Sequence, residues 1–300
     1  MAALSLSQVI PEQINAPDLQ AFIASHGRFP RLGDEVQPWL YRGWLLGYVV
    51  LADLHPNAPG RWNHYLAILS KGSLIEKPIP QISFSDCMDR TGLKMIENCI
   101  EIVTRREATW SAFQVFVDWL AWALGVTDRI PKLEDDTNER LYRTFNLEPL
   151  LLHPHDFLGA ILADSRGNGW NPHAFFPTPH GVCELMARMM MHDDRGPEMR
   201  TKSVMDPALG TARMLLHASN YSYNLYGCDI DPLVVQIAKI NGALYAPWMT
   251  FPFPEGILGV PLPPPPPAPL PIPGAQQPKQ EQEIKMLRCD DRGQGLDLAP

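Results

Sequence analysis

The sequence predicts an α/β fold, a mainly parallel sheet entered late in the chain and preceded by a helical N-terminal region. Three observations carry this. Residues 203–206 read as a short buried strand that runs into a Gly-containing turn and a helix, followed at 224–229 by a second strand ending in an acid. That order is half of a nucleotide-binding βαβ unit. Residues 84–162 repeat apolar side chains at three- and four-residue intervals, the period of helices packed on a core. A chain of 300 residues with 45% hydrophobic content is long enough for one large domain or two modest ones.

Taken in order, residues 1–80 say least. A short helix is predicted over 19–24 behind Asp18, and a longer apolar helix over 39–54, ended by a Pro- and Gly-containing loop at 55–60. The apolar run at 43–52 is about half a bilayer-spanning length and reads as a buried helix, with no membrane partner implied. Trp62, His64 and Tyr65 read as core packing rather than a stacking surface. In the helical stretch 81–165, Leu93, Ile96, Ile100 and Val103 share one face. Phe113, Phe116, Val117, Leu120 and Leu124 share another, with Gly125 as the stop. Trp110, Trp119 and Trp122 read as the core of this region. Glu134, Asp135, Asp136, Arg140 and Arg143 read as a solvated turn and helix face. Another helix starts after Asp156.

Residues 166–247 carry the nucleotide-binding pattern. A helix from His180 to about 190 places Val182, Leu185, Met186 and Met189 on one face, with Thr178 as its N-cap and free amides able to hold a carboxylate. Val204 and Met205 are strand-like, Asp206-Pro207 ends the strand, and Gly210 permits a positive φ or close backbone approach. Met214, Leu215 and Ala218 pack the following helix on the sheet. Asp229, about 20 residues past the turn, stands where a carboxylate accepts ribose hydroxyls. Asp231-Pro232 then caps a helix reaching about 244. From 248 to 280 the composition is that of a proline-rich linker or insertion, with an unbroken proline run at 263–267. Residues 281–300 offer one further strand ending at Asp290 and Asp291.

Several function classes are set aside by composition. A formal net charge of −8 argues against a protein that coats nucleic acid through a generally basic surface. The five cysteines, Cys87, Cys99, Cys183, Cys228 and Cys289, form no C-x-x-C pair. They predict reduced thiols in a cytoplasmic setting, with Cys183 and Cys228 in the core and no metal site. Residues 1–10 lack the basic start and apolar run of a signal peptide. G-x-G-x-x-G is absent, which places a nicotinamide-dependent oxidoreductase last among the readings.

In order, the chain carries Asp156-Phe157-Leu158-Gly159, Phe175-Phe176-Pro177-Thr178-Pro179, Asp206-Pro207-Ala208-Leu209-Gly210-Thr211 and Tyr226-Gly227-Cys228-Asp229-Ile230-Asp231-Pro232. This order resembles the adenine-specific DNA methyltransferases, above all the modification subunits of type I restriction systems and their phage relatives, over roughly residues 150–247. The resemblance implies a Rossmann-like, S-adenosylmethionine-dependent methyltransferase sheet, here incomplete, and methyl transfer to the exocyclic amino group of adenine in DNA. It implies that Phe176, Thr178 and Pro179 lie against the methionine end of S-adenosylmethionine. Asp206, Ala208 and Gly210 would wrap the cofactor, Asp229 would bind its ribose, and Asp290, or Asp291, would meet its adenine amino group. DNA is the implied partner, with a specificity subunit or another protein chain beside it.

Two departures stand out. Ala212 replaces a glycine usual in the family, where its methyl would crowd the cofactor. The catalytic tetrad, Asn or Asp followed by Pro-Pro and an aromatic residue, is not in the sequence: Asn171-Pro172 is followed by His173, and the run at 263–267 by Ala268. Catalytic residues are therefore unassigned, and the sequence ends before the place where the tetrad would fall. The rival expectations are a non-catalytic remnant that binds cofactor or partner, and a methyltransferase of protein or RNA.

Overall fold

The computed structural model describes residues 37–105, 109–167, 175–191 and 198–258. The expected helix at 19–24, the prolines from 261 on, Cys289, Asp290 and Asp291 lie outside them. The described residues fall in one unit, Met1–Pro261.

Helices dominate. Where one helix was expected at 39–54, a 3-10 turn, Pro38–Leu40, precedes a shorter helix α1, Leu46–Ala52. The break lies at Gly43, whose φ of 74° no regular helix accommodates. α2, Arg61–Lys71, is capped from a distance: the Asp53 carboxylate accepts from the backbone amides of Gly60 at 2.9 Å, Arg61 at 3.2 Å and Asn63 at 3.0 Å. Burial pushes the Asp53 carboxyl up, and those amides oppose the shift. Trp62, His64 and Tyr65 are buried, as the aromatic spacing predicts.

The helical stretch continues with α3, Arg90–Thr104, α4, Thr109–Ala123, α5, Asp135–Thr144, α6, Glu148–Leu152, and α7, Phe157–Gly167. α3 starts at Asp89, whose carboxylate accepts from Gly92 N–H at 2.7 Å, and packs along α4 and α5. Gly125 ends the α4 segment at φ 69°. Trp119 is fully buried and donates its indole N–H to Asn138 at 2.8 Å, whereas Trp122 is only half-buried. Arg143 pairs with Glu139 one turn back on the exposed side of α5.

The later elements are α8, His180–Met191, β1, Ser203–Asp206, α9, Arg213–Ala218, β2, Asn224–Gly227, α10, Pro232–Tyr245, and α11, Pro247–Thr250. β1 and β2 pair in parallel, Ser203 with Asn224 through Asp206 with Gly227. This is the only sheet among the described residues, so of the expected α/β sheet they show two parallel strands in a mostly helical body. β1 is not the buried strand predicted: Ser203 and Met205 are exposed, Met205 by 53%. β2 buries Asn224 and Leu225 beside α11. Cys228, just past β2, is exposed and not a core residue, while Cys183 is buried.

One apolar cluster runs through the unit from Trp39 to Phe253. Residues 247–253, at the start of the proline-rich composition, bury Trp248, Phe251 and Phe253 in it. Arg61, only 1% exposed, ties α2 to the later elements by donating to Ser219 O at 2.7 Å, Ser219 Oγ and Tyr245 O at 2.9 Å each, and Pro80 O at 3.0 Å. Its guanidinium lies over the Trp248 ring, 4.7 Å from the centroid. Burial lowers the Arg61 pKa to about 9. No helix among the described residues is long and apolar enough to cross a membrane.

Candidate functional site

At the carboxyl ends of β1 and β2 lies a cleft of about 450 Å³. Three stretches line it, with Val234 of α10: Phe175 to Thr178 ahead of α8, the turn from Asp206 through Arg213 and Met214, and Asp229 to Asp231 after β2. This is where open parallel sheets bind ligands. Of the residues singled out in the sequence, Phe176, Thr178, Asp206, Ala208, Gly210 and Asp229 meet there. Pro179 sits behind Thr178, outside the lining.

The turn is held from inside. The Asp206 carboxylate accepts from Ala208 N–H at 3.1 Å, which bends the chain out of β1. Leu209 N–H donates to Cys228 O at 3.0 Å, joining the turn to the end of β2. Gly210 has φ +52°, and a Cβ there would stand 3.3 Å from the edge of the Phe175 ring, so both backbone and space favour glycine. Its N–H donates to Asp229 Oδ2 at 2.8 Å, and Asp231 N–H donates to Asp229 Oδ1 at 3.0 Å. Each Asp229 oxygen keeps lone-pair capacity for a further donor. Phe176 and Ile230 stand on the rim, 78% and 79% exposed.

Ala212 does not crowd the cleft. It is fully buried and outside the lining, and its departure from glycine is felt in the backbone instead: φ 73°, ψ 22°, the one non-glycine residue of positive φ among those described. Thr178 is not the cap of α8 either. The residue ahead of His180 is Pro179, which has no acceptor side chain, and the vacancy is filled by Asp86: its carboxylate accepts from His180 N–H at 2.7 Å and Gly181 N–H at 3.1 Å. Burial tends to raise the Asp86 pKa, but these amides outweigh it and the net shift is downward. The amides expected to hold a ligand carboxylate thus hold a carboxylate of the chain itself.

Behind the turn lies a group to which the sequence reading assigned no role. Asp156, fully buried, accepts from Thr211 Oγ1 at 2.5 Å, Arg213 Nε at 2.8 Å, Asn241 Nδ2 at 2.8 Å and Gly159 N–H at 3.0 Å. A Cβ on Gly159 would fall 2.1 Å from Asp156 Oδ2, which accounts for the Asp-x-x-Gly spacing at 156–159. Arg213 also reaches Thr178 O at 3.3 Å, bracing the stretch ahead of α8 against the turn. The signal for Asp156 and Arg213 was present, an isolated Asp-x-x-Gly and a cation directly after the turn, but neither pairing is local in sequence.

Beside α8, His180 Nδ1 and His217 Nε2 are 3.2 Å apart, and His180 stacks on Phe84 with centroids 5.5 Å apart. Burial holds both histidines down to about 4, so they are neutral near pH 7. No group of three or more metal-ligating side chains converges among the described residues.

Residues 167–246 match the family described as N-6 DNA Methylase. The matched segment takes in the stretch ahead of α8, the turn and Asp229. No curated protein matches the chain. No solved structure matches it.

Proposed function

We propose that the cleft binds S-adenosylmethionine and that the protein acts in methyl transfer to the exocyclic amino group of adenine in DNA. The observation that carries this is convergence: Phe176, Thr178, Asp206, Ala208, Gly210 and Asp229, far apart in sequence, line one cleft within a segment that matches N-6 DNA methylases. A volume of about 450 Å³ lies within the roughly 300–1,000 Å³ of small-molecule sites.

The residues present fit such a ligand. Asp229, fixed by two backbone amides, offers both oxygens to ribose hydroxyls. Gly210 lets the backbone come close, Asp206 and Ala208 shape the turn, and Phe176 and Thr178 close the opposite wall, with Pro179 behind them. The cofactor, when bound, supplies an activated methyl group on its sulfonium. The protein's part is to hold that group at the cleft mouth, where a base turned out of a duplex would approach. A cytoplasmic setting with DNA and a specificity subunit or other chain as partners belongs to the same reading.

A second reading is a cofactor-binding chain that does not itself transfer methyl groups. Two measurements separate them. Titration calorimetry with S-adenosylmethionine should show one site per chain, and no binding to folded protein would sink both readings. Incubation of plasmid DNA with methyl-labelled cofactor should then place label on adenine. Binding without labelling would select the second reading, and label in protein or RNA would redirect the substrate.

A further inference from the structure

The amides and charges of the cleft bear on the kind of ligand it accepts. Phosphates in such folds are held by free amides of a Gly-rich turn or a helix N-terminus. Here several of those amides are spent. Ala208 N–H is taken by the Asp206 carboxylate, Leu209 N–H by Cys228 O, Gly210 N–H by the Asp229 carboxylate, and Ala212 N–H by Leu209 O at 2.9 Å. At the start of α8, His180 N–H and Gly181 N–H are taken by Asp86.

The charges agree. The lining holds three carboxylates, Asp206, Asp229 and Asp231, and among the described residues a single cation, Arg213. A polyphosphate would meet more repulsion than attraction. A ligand carrying positive charge and one carboxylate would not. Arg213 is placed for that carboxylate: its side chain is only 11% exposed and lines the cleft. Nε is committed to Asp156 and Nη1 to Thr178 O, which fixes the guanidinium plane, while Nη2 makes no hydrogen bond to a described residue.

We propose that Arg213 anchors the carboxylate of the ligand, so that the cleft selects a nucleoside with a zwitterionic amino-acid tail over a phosphorylated one. This rests on the cofactor reading above and adds to it the residue that recognises the amino-acid end.

The test compares four ligands by calorimetry on the full chain: S-adenosylmethionine, its decarboxylated form, 5′-methylthioadenosine and ATP. The native protein should bind S-adenosylmethionine about 10-fold or more tighter than the decarboxylated form, the range of one charge-assisted contact. ATP should bind weakest. Arg213→Met should weaken S-adenosylmethionine about 10- to 100-fold and 5′-methylthioadenosine less than about 3-fold, the latter showing that the cleft is still folded. If Arg213→Met does not fold, Arg213→Lys decides: it keeps the charge but not the fork, and should weaken only the carboxylate-bearing ligand. Equal weakening of all ligands, or none, overturns the assignment to Arg213 and leaves the cofactor reading standing. ATP binding as tightly as S-adenosylmethionine overturns the selectivity. A native protein that binds none of the adenosine compounds brings down both.

Discussion

Ala212 sits at the N-cap of α9 in the left-handed region, a conformation that costs a non-glycine residue about 1–2 kcal/mol. The turn imposes it, because Ala212 N–H must reach Leu209 O while the next residues enter the helix. Ala212→Gly should relieve the strain. Loss of a buried methyl and greater freedom of the unfolded chain offset most of the gain, leaving a net stabilisation of at most about 0.8 kcal/mol. The measurement is a urea midpoint at unchanged slope. A lower midpoint would mean that the methyl's packing outweighs the backbone strain. The sequence identified the position as unusual but placed the difficulty in the wrong part of the molecule. A residue's neighbours along the chain indicate a tight turn, whereas the direction of its Cβ depends on φ and ψ.

Among the elements, α8 shows both what periodicity conveys and where it stops. Val182, Leu185, Met186 and Met189 share a face, as the spacing predicts, but that face is exposed, Met189 by 73%. The side packed on α9 is built from His180, Cys183, Ala187 and Met191. Spacing determines which residues face the same way, and only the neighbouring elements decide which side is covered. The start of α8 has the same character. Its acceptor comes from Asp86, 94 residues from His180, and no local motif reveals it. Asp86→Ala should cost about 1 kcal/mol, as for other lost caps. Amide exchange checks it: His180 and Gly181 should lose protection selectively while α4 keeps its own. Unchanged protection would show that water replaces the carboxylate at no cost.

At the scale of the molecule, one core among the described residues joins the early helices to the turn-and-strand segment, with Arg61 and the buried histidines at the seam. His64, His180 and His217 are each held near 4 by burial, against 6.5 for an unburied histidine. Nearby charges act on them too: Lys77, Arg61 and Arg200 around His64, Arg213, Asp156 and His155 around His180, and Glu184, Asp86 and Arg188 around His217. Folded-state values below the unfolded ones mean that the unfolded chain binds more protons in this window. Stability is therefore full above about pH 6.5 and falls as pH drops towards 4. The loss should be on the order of 1–3 kcal/mol per histidine, less than additive for the His180–His217 pair because they share one hydrogen bond. Denaturant midpoints between pH 7 and pH 4.5 test this, and His64→Gln should flatten the slope by about one proton. A flat profile would mean that these rings are open to solvent.

By itself the sequence determined the helical periodicity, the turn between β1 and α9, the acid after β2 and the order of motifs that led to the cleft. All of these are written in spacings of a few residues. The tertiary structure decided that Arg213 is the cleft's cation and that Asp156 and Asp86 hold the site together. Those partners lie 55 residues or more apart in the chain, at 156 and 211, 156 and 213, and 86 and 180. Only packing brings them within hydrogen-bond reach, because such a bond depends on distance in space and leaves no period in the sequence.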